Sequence, residues 1–439
     1  MSSYVTRKTD GDTTWFTADR FGMFIHYGLY SMPARHEWVK SIEKISEEHY
    51  DKYFKYFNPD MFDAREWAKK AKEAGMRYAI LTTKHHEGFC MFDSAYTDYK
   101  STNTPAKRDF VKEFTDAFRA EGLKVGLYYS LIDWHHPDYQ IDIFHPRRAD
   151  ADAEDQNKKR DMKKYREYVH NQVRELLTNY GKIDIMWFDF TYPHMDSIRN
   201  EYNQFAIRDY KEWMPWTTSE TWGSDELVKM IRSYNPDIII NDRLGYPYPQ
   251  DVRTPEQTLA TEWPLYYGTD EKAVWELCQT FSGSWGYHRD EMSWKTPEAL
   301  IRILINCVSK GGNLIMNVGP TSRGIFDDRA DRSLKVYADW MRLNGRSIYG
   351  CTMAEPQFKA PPGCLLTQSA DEKRLYIHLV EYPFAQISMP DVAGVFDYAQ
   401  LLHDGSEIQF REKPDGGVRF IVPGIKPDCV VPVIEVMLK

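Results

Sequence analysis

The sequence predicts an α/β fold, a (β/α)8-like barrel of the TIM type followed by a small C-terminal all-β sandwich domain. Short apolar runs alternate with longer amphipathic runs, at intervals of roughly 45–60 residues, as in repeated strand–helix units. The apolar runs show little polar alternation, which is typical of strands covered on both faces. After about residue 346, short alternating runs between Pro, Gly and Asp turns replace this pattern. We therefore expect a catalytic barrel domain over residues 1–345 and a β-sandwich domain over residues 346–439.

Six segments rich in β-branched and aromatic residues are predicted to be strands of the barrel. The sixth and seventh of eight strands are poorly marked, so the count of eight follows from the barrel class alone. The six segments are Phe21–Gly28, Arg77–Lys84, Lys124–Ser130, Ile183–Asp189, Asp237–Asp242 and Asn313–Val318.

Amphipathic segments with helical periodicity lie between and after these strands. An open doubly wound sheet is the alternative arrangement. Neither a G-x-G-x-x-G nor a G-x-x-x-x-G-K-[ST] motif follows any of the strands, so the nucleotide-binding reason to prefer that alternative is missing. The predicted helices include Arg65–Ala74, Asp109–Ala120, a long charged helix over about Asn157–Tyr180, Pro297–Val308 and Asp327–Leu343.

The amino-acid composition excludes some classes of binding partner and leaves others open. The formal net charge is −9, which argues against nucleic-acid or acidic-membrane partners, because both require concentrated positive charge. Aromatic residues make up 15% of the chain, and their rings suit both sugar stacking and core packing. The six cysteines form no CxxC pair, so a zinc ribbon has no support.

The N-terminus lacks the apolar segment of a signal peptide, and no run of about 18 apolar residues occurs. Cytoplasmic localisation is the default expectation. Secretion or a periplasmic location would apply if a leader had been removed.

Polar and titratable side chains gather where the predicted strands end. In a barrel of this class the carboxyl ends of the strands form the active site, whereas the opposite end stabilises the fold. Asp184, at the start of the fourth strand, belongs to the stabilising end. The residues at the carboxyl ends are His26, His85 and His86, Tyr128 and Tyr129, Asp189, and Asp242 with Arg243.

Each of these residues also has a structural interpretation. Asp189 follows an apolar run and could cap a helix, while Arg243 could serve in a structural ion pair. His85 and His86 suggest a metal site as one interpretation. Neighbouring residues on a strand point to opposite faces, however, so two adjacent histidines rarely bind one ion. We therefore interpret them as hydrogen-bonding histidines and predict no metal site. His135 and His136 are loop residues that would either line a pocket or pack.

Several distinctive sequence blocks occur in order between Trp15 and about Gly350. The sharpest blocks are Arg20–Gly28 (RFGMFIHYG), Thr83–Cys90 (TKHHEGFC), Gly126–Ser130 (GLYYS), Trp187–Asp189 (WFD), Asn241–Arg243 (NDR), Thr254–Gln257 (TPEQ), Ser284–Tyr287 (SWGY), Gly312–Pro320 (GNLIMNVGP) and Asn344–Gly350 (NGRSIYG). Together these blocks resemble the α-L-fucosidases of glycoside hydrolase family 29.

The resemblance implies an exo-acting retaining hydrolase that removes terminal α-L-fucose from fucosylated oligosaccharides or glycoconjugates, without a metal or other cofactor. Asp189 matches the nucleophile of the family. Glu256 matches the acid/base of one branch, and Glu262 resembles that of another branch; Glu256 is preferred. The alternatives are a hydrolase of a fucose-like sugar such as an α-L-galactoside, or a catalytically silent fucose-binding homologue.

The resemblance also implies a set of fucose-binding residues, whose histidine, carboxyl and indole groups suit the hydroxyls and the apolar face of fucose. Glu87 departs from the family, which often has Asp there, and the longer acid is expected to shift a loop without removing the chemistry. Tyr129 is interpreted as a core or supporting residue. The implied binding residues are His26, Glu37, Trp38, His85, His86, Tyr128, Arg243 and Trp285.

Overall fold

A parallel sheet of seven strands forms the wall of the N-terminal barrel. The computed structural model describes residues 8–191, 218–245 and 251–439. The strands are β1 (Phe21–Ile25), β2 (Tyr78–Lys84), β3 (Lys124–Ser130), β4 (Ile185–Asp189), β5 (Ile239–Ile240), β6 (Glu276–Thr280) and β7 (Asn313–Val318). Around the wall they follow the order β5-β4-β3-β2-β1-β7-β6, and all neighbours run parallel.

The gap between β5 and β6 is occupied by an irregular stretch, residues 252–256, which we call the seam. Parallel bridges join Asn241 to Val252 on one side of the seam, and Glu256 to Cys278 on the other. Cys278 donates its backbone N–H to the Pro255 carbonyl over 3.1 Å. The seam therefore takes the place of an eighth strand and closes the barrel. Pro255 cannot donate a ladder hydrogen bond, which explains why this stretch carries no strand signal in the sequence.

Helices cover the outside of the barrel, as the sequence predicts. Among the described residues, no helix has the length and apolarity needed to cross a bilayer. The helices are α1 (Thr14–Asp19), α2 (Val39–Ile42), α3 (Glu47–Tyr56), α4 (Ala64–Glu73), α5 (Phe110–Ala120), α6 (Ala153–Asn157), α7 (Met162–Asn179), α8 (Ser219–Trp222), α9 (Ser224–Tyr234), α10 (Pro297–Ser309) and α11 (Asp328–Asn344).

Several predicted helices begin slightly late because an aspartate caps them. Asp109 accepts a hydrogen bond from the Lys112 N–H and lies just before α5. Asp327 caps α11 in the same way. The long helix predicted over about Asn157–Tyr180 is α7, which begins at Met162 because Asp161 caps it; Asn157 is instead the last residue of α6.

The strands are buried on both faces. Phe24, Tyr128 and Trp187 point into the barrel and share its interior cluster. Their neighbours Met23 and Tyr129 point outward into the larger cluster between strands and helices, as the alternation of strand side chains requires. This double burial explains why the strand sequences are apolar throughout.

The C-terminal part of the chain is a sandwich of two antiparallel sheets. The inner faces of the sheets meet in one apolar cluster that includes Ile377, Val436 and Phe420. The strands are β8 (Cys351–Met353), β9 (Cys364–Ser369), β10 (Arg374–Leu379), β11 (Gln386–Met389), β12 (Phe396–Leu401), β13 (Phe410–Glu412), β14 (Val418–Ile421) and β15 (Val433–Leu438). Their orders are β12-β15-β10-β9-β8 and β11-β14-β13.

The predicted fold class, a (β/α)8-like barrel followed by a β-sandwich, is confirmed. The division between residues 345 and 346 stays a prediction. Contacts cross this position: Trp340 on α11 donates its indole N–H to the Val431 carbonyl over 2.9 Å, and Arg346 binds Glu435 over 2.8 Å.

Candidate active site

A cavity of about 400 Å³ opens at the carboxyl ends of the barrel strands. Both proposed catalytic residues, Asp189 and Glu256, line this cavity. All eight proposed fucose-binding residues line it as well. These are His26, Glu37, Trp38, His85, His86, Tyr128, Arg243 and Trp285.

Asp189 is the last residue of β4, and its carboxylate is held on both oxygens. The Tyr128 hydroxyl donates to Oδ2 and Arg243 donates to Oδ1, both over 2.8 Å. The backbone N–H of Phe190 also donates to Oδ1 over 2.8 Å. Phe190 has a φ of 85°, an unfavourable conformation for a residue with a side chain, so the chain bends sharply beside this carboxylate.

The environment of Asp189 favours its ionised form. Burial on its own would raise the pKa of this carboxyl group. The Arg243 charge, the nearby His86 ring and the hydrogen bonds from Arg243 and Tyr128 outweigh burial, so the pKa lies below the ordinary value of 3.8. A rigid, ionised carboxylate at this position suits a nucleophile.

Glu256 lies on the seam, at the other side of the same guanidinium. Arg243 donates from Nη2 to Glu256 over 3.0 Å while Nη1 binds Asp189. The Arg243 group is itself fixed by Thr254, whose carbonyl accepts from Nη2 over 3.0 Å. The guanidinium lies over the Trp187 ring, 4.5 Å from its centroid. One buried cation therefore positions both carboxyl groups.

The environment of Glu256 favours its protonated form, in contrast to that of Asp189. Desolvation within the cavity and the negative charge of Asp189 raise its pKa above 4.5, and the Arg243 charge only partly opposes them. The side chain remains 37% exposed, so bulk water can reach it. Glu262, the alternative acid/base, is exposed and lies outside the lining of the cavity.

The three predicted histidines enter the cavity as neutral rings. His26 follows β1 and binds the Asn317 side chain over 2.7 Å, and burial lowers its pKa to about 3. His86 binds the Ser130 hydroxyl over 2.7 Å, and burial lowers its pKa to about 4. No described residue is hydrogen-bonded to the buried Nδ1 of His85. Neutral imidazoles can both donate to and accept from sugar hydroxyls.

His85 and His86 do not point to opposite faces, which corrects the expectation from strand alternation. Their ring centroids are 4.0 Å apart and both rings line the cavity. The reason is that β2 ends at Lys84, so the alternation of a strand no longer applies. Among residues 8–191, 218–245 and 251–439, no cluster of three His, Cys, Asp or Glu could hold a metal ion.

Glu37 joins the loop after β1 to the loop after β6. Its carboxylate accepts the backbone N–H groups of Trp285 and Gly286, over 3.1 and 2.8 Å. Burial raises the pKa of Glu37 to about 7 in spite of these bonds. Trp285 lies beside His26, with ring centroids 5.1 Å apart, while Trp38 contacts His86 at 5.0 Å.

Four other residues named in the sequence analysis lie outside the lining of the cavity and contribute to the fold. His135 stacks on Tyr99, with ring centroids 3.8 Å apart, and does not reach the cavity. His136 likewise packs among tyrosines. Tyr129 points outward and donates to Gln172 over 2.8 Å. Asp184 accepts the Val125 N–H at the opposite end of the barrel.

Glu87 is buried behind the cavity rather than in it. It accepts hydrogen bonds from the Tyr50 hydroxyl and from the Leu29 N–H. The longer acid is thus accommodated by the loop after β1.

Sequence reasoning missed part of the cavity wall. Its apolar members carry no signal that separates them from core residues, and Arg148 carries none that separates it from surface arginines. The missed lining residues are Phe24, Ser41, Ile42, Ile143, Phe144, Arg148, Trp187, Phe190 and Cys278.

Comparisons with known proteins agree on one family. The family described as alpha-L-fucosidase matches residues 3–346 of the chain. Among solved structures, alpha-L-fucosidase isoenzyme 1 from Paenibacillus thiaminolyticus is 43% identical, with a TM-score of 0.87 over 97% of this chain and 98% of that chain. Tissue alpha-L-fucosidase from Rattus norvegicus is 27% identical over 446 residues, which are 94% of this chain and 86% of the relative.

A third similarity concerns the reaction. The GH29 alpha-L-fucosidase from Bacteroides thetaiotaomicron, solved as a trapped covalent intermediate in complex with 2-fluoro-fucosyl fluoride, is 27% identical. Its TM-score is 0.80 over 100% of this chain and 99% of that chain.

Proposed function

This chain belongs to the α-L-fucosidase family of retaining glycoside hydrolases, and from that premise we propose which of its residues perform the reaction. Asp189 is the nucleophile and Glu256 is the acid/base in the hydrolysis of terminal α-L-fucosides. The observation that carries this assignment is the shared guanidinium: Arg243 binds both carboxyl groups within one cavity.

In the first step, an oxygen of Asp189 attacks the anomeric carbon of fucose. The bond to the leaving-group oxygen breaks, and Glu256 transfers its proton to that oxygen. The hydrogen bonds from Tyr128 and Arg243 hold the nucleophile in place. The product of this step is a fucosyl ester of Asp189.

In the second step, Glu256 acts as a base. It removes a proton from a water molecule, which attacks the anomeric carbon and releases Asp189 as a carboxylate. Two inversions give net retention of configuration. The opposite pKa shifts of the two carboxyl groups suit this exchange of roles.

The fucose ring is held by the buried groups around the two carboxyls. His26, His85 and Glu37 offer hydrogen-bonding atoms to the hydroxyls. Trp285 and Trp38 offer apolar surfaces to the C–H face and the methyl group. We propose fucosylated oligosaccharides or glycoconjugates as the substrates, with only the terminal fucose entering the inner part of the cavity.

Substitution of the nucleophile tests the assignment. Asp189→Ala should lower the turnover of an aryl α-L-fucoside by at least about 10³-fold, because no covalent intermediate can form. Added azide should restore activity by occupying the vacated space, and it should yield β-fucosyl azide. Activity of the unaltered protein should be the same with and without a chelator.

Two results would contradict the proposal. Retention of full activity in Asp189→Ala would show that another group attacks the sugar. Binding of fucose by the unaltered protein without any hydrolysis would instead indicate a catalytically silent homologue.

A further inference from the structure

The outer part of the cavity has its own wall, distinct from the groups proposed to hold fucose. Helix α2 and the segment 143–148 form this wall, and Ser41 on α2 donates to the Phe144 carbonyl over 2.5 Å. A cavity of about 400 Å³ has room for more than one sugar ring. In the part of the chain that the structure describes, this outer wall offers a surface to the leaving group of the substrate.

Arg148 is the cation of the outer wall, and one edge of its guanidinium is open. Nη1 donates to the carbonyls of Ser41 and His145, each over 2.9 Å. In the part of the chain that the structure describes, no group accepts from Nε or Nη2. These two nitrogens form the side of the guanidinium that binds a carboxylate or sulfate through two parallel hydrogen bonds.

The acidic side chains near Arg148 are engaged elsewhere. Asp150 pairs with Arg147 over 2.8 Å, and Asp142 accepts from Tyr139 and from the Phe144 N–H. Burial raises the pKa of Asp142 to about 6, so this carboxyl group is mostly neutral below that pH and ionised above it. Its charge is felt by Arg148, although the two side chains share no hydrogen bond. Among the described residues, no carboxylate is therefore hydrogen-bonded to Arg148.

Several cations lie around His145, whose carbonyl accepts a hydrogen bond from Arg148, although the chain as a whole is negative. Burial, followed by the charges of Arg160, Lys40 and Arg147, lowers the pKa of the adjacent His145 to about 3. Lys40 is paired with Glu47, whereas the only acceptors of Arg160 are backbone carbonyls among the described residues. These cations add to the positive charge of Arg148 on this side of the cavity.

The catalytic half of the cavity does not cancel this positive charge. Asp189 and Arg243 neutralise each other as an ion pair. Glu256 carries its proton at the start of the reaction, as its role as an acid requires. Below the pKa of about 7 of Glu37, that carboxyl group is mostly neutral as well, so Arg148 keeps its open hydrogen-bonding edge beside a cavity with little negative charge.

An apolar surface lies beside this cation. Ile42 is 59% exposed on α2 although it lines the cavity, and Ile143 and Phe144 continue the surface. Such a wall suits the C–H face of a pyranose, while the cation suits a charged substituent on its edge.

We propose that this outer wall is a leaving-group subsite that selects a sugar bearing a carboxylate or a sulfate ester, and that Arg148 binds the anion. The inference rests on the proposed function, because a leaving group exists only if fucose is cleaved in the inner part of the cavity. It adds the chemical class of the sugar to which fucose is attached.

The test compares matched fucosyl disaccharides: a neutral one, the same one with a single sulfate ester at each available position of the leaving sugar, and one with a uronic acid as the leaving sugar. At low salt we expect kcat/KM to be about tenfold higher for the best anionic substrate than for the neutral one. In 0.5 M NaCl this preference should fall severalfold, because salt screens a partly exposed pair. Equal kcat/KM values for all disaccharides at low salt would overturn the proposal.

Variants assign the preference to Arg148. Arg148→Gln should bring the ratio of anionic to neutral kcat/KM close to one, and Arg148→Lys should restore part of it. Arg147→Gln is the matched control, since Arg147 is adjacent but paired with Asp150, and it should retain the preference. An unchanged preference in Arg148→Gln would overturn the assignment, as would an equal loss of activity on both disaccharides, which would indicate a purely structural role.

An aryl α-L-fucoside without an anionic group separates this inference from the proposed function. The unaltered protein should hydrolyse it, and so should Arg147→Gln. Failure of the unaltered protein to hydrolyse it would contradict the proposed function, whereas hydrolysis without any anion preference would contradict only the subsite.

Discussion

Arg243 donates one hydrogen bond to Asp189 and another to Glu256, so the two proposed catalytic carboxyl groups share a counter-ion. The two groups nevertheless differ in protonation, because Asp189 also accepts from Tyr128 and Phe190 whereas Glu256 lies next to the negative charge of Asp189. The residue types could be predicted from the sequence, since both fall in recognisable motifs. Their opposite pKa shifts could not, because these depend on side chains that are distant along the chain.

The pKa shifts predict the shape of the pH profile. Activity requires Asp189 ionised and Glu256 protonated, and the pKa values lie below 3.8 and above 4.5 respectively. A plot of kcat/KM against pH should therefore be bell-shaped, with its acid limb below about pH 4 and its basic limb above about pH 4.5. In Glu256→Ala, the basic limb should disappear for an activated aryl fucoside. Its persistence would point to another group, and Glu37, with a pKa of about 7, would be the first to examine.

A pair of variants decides between the two candidate acid/base residues. Glu256→Ala should lower kcat/KM on a fucosyl disaccharide by about 10²–10⁴-fold, and much less on a substrate whose leaving group needs no proton. Glu262→Ala is the matched control, because Glu262 is exposed outside the cavity, and it should leave both values within about twofold of the unaltered protein. The reverse pattern would transfer the role to Glu262.

Strands β1 to β4 could be predicted from sequence because each is an apolar run covered on both faces. The seam could not, since its hydrogen bonds come from two neighbouring strands and Pro255 removes the usual pattern. The place of His85 and His86 in the cavity could also be predicted, but the directions of their side chains could not. The two rings share one cavity because β2 ends at Lys84, directly before them.

The end of β2 is held by a buried ion pair. Lys84 and Asp133 lie 3.1 Å apart with side chains 0% and 2% exposed, and Asp133 also accepts the N–H groups of His135 and His136. Asp133→Asn preserves the shape but leaves the Lys84 charge unpaired, so unfolding free energy should fall by about 3–5 kcal/mol in chemical denaturation. Asp339→Asn removes an exposed i,i+4 pair with Lys335 and should cost at most about 1 kcal/mol. Similar losses in the two variants would contradict this account of the ion pair.

The Lys84–Asp133 pair also gives stability a pH dependence. Burial on its own would raise the pKa of Asp133. The charge of Lys84 and the neighbouring groups outweigh burial and lower this pKa from 3.8 to about 2. This contribution to stability is therefore present above about pH 4 and is lost as the pH falls towards 2.

The barrel and the sandwich are joined by apolar contacts as well as hydrogen bonds. Trp340 on α11 and Val433 on β15 belong to one buried cluster, and Arg20 donates to the Cys351 carbonyl over 2.8 Å. The order of the two parts could be predicted, because the hydropathy pattern changes near residue 346. The contacts between them could not, since nothing in the pattern of α11 distinguishes the face that meets the sandwich from the face that meets the barrel.

These contacts predict that the two parts unfold together. Trp340→Ala should lower the free energy of unfolding by about 3–5 kcal/mol, because it removes a side chain that is 3% exposed between them. Thermal unfolding should show one transition by near-UV circular dichroism, and enzyme activity should be lost in the same transition. Met292→Ala is the control: its side chain is 91% exposed, and the change should be within about 0.5 kcal/mol. Two separate transitions in the unaltered protein would show that the contacts do not couple the parts.

The seam divides the barrel wall into regions of unequal tolerance to change. Asp189 ends a strand paired along its length with β3, so insertions beside it would disrupt the wall. Glu256 ends a stretch joined to its neighbours by isolated bridges, and the mostly exposed residues 257–262 that follow it belong to no regular strand. Insertions after residue 256 should consequently be tolerated better than insertions next to the nucleophile.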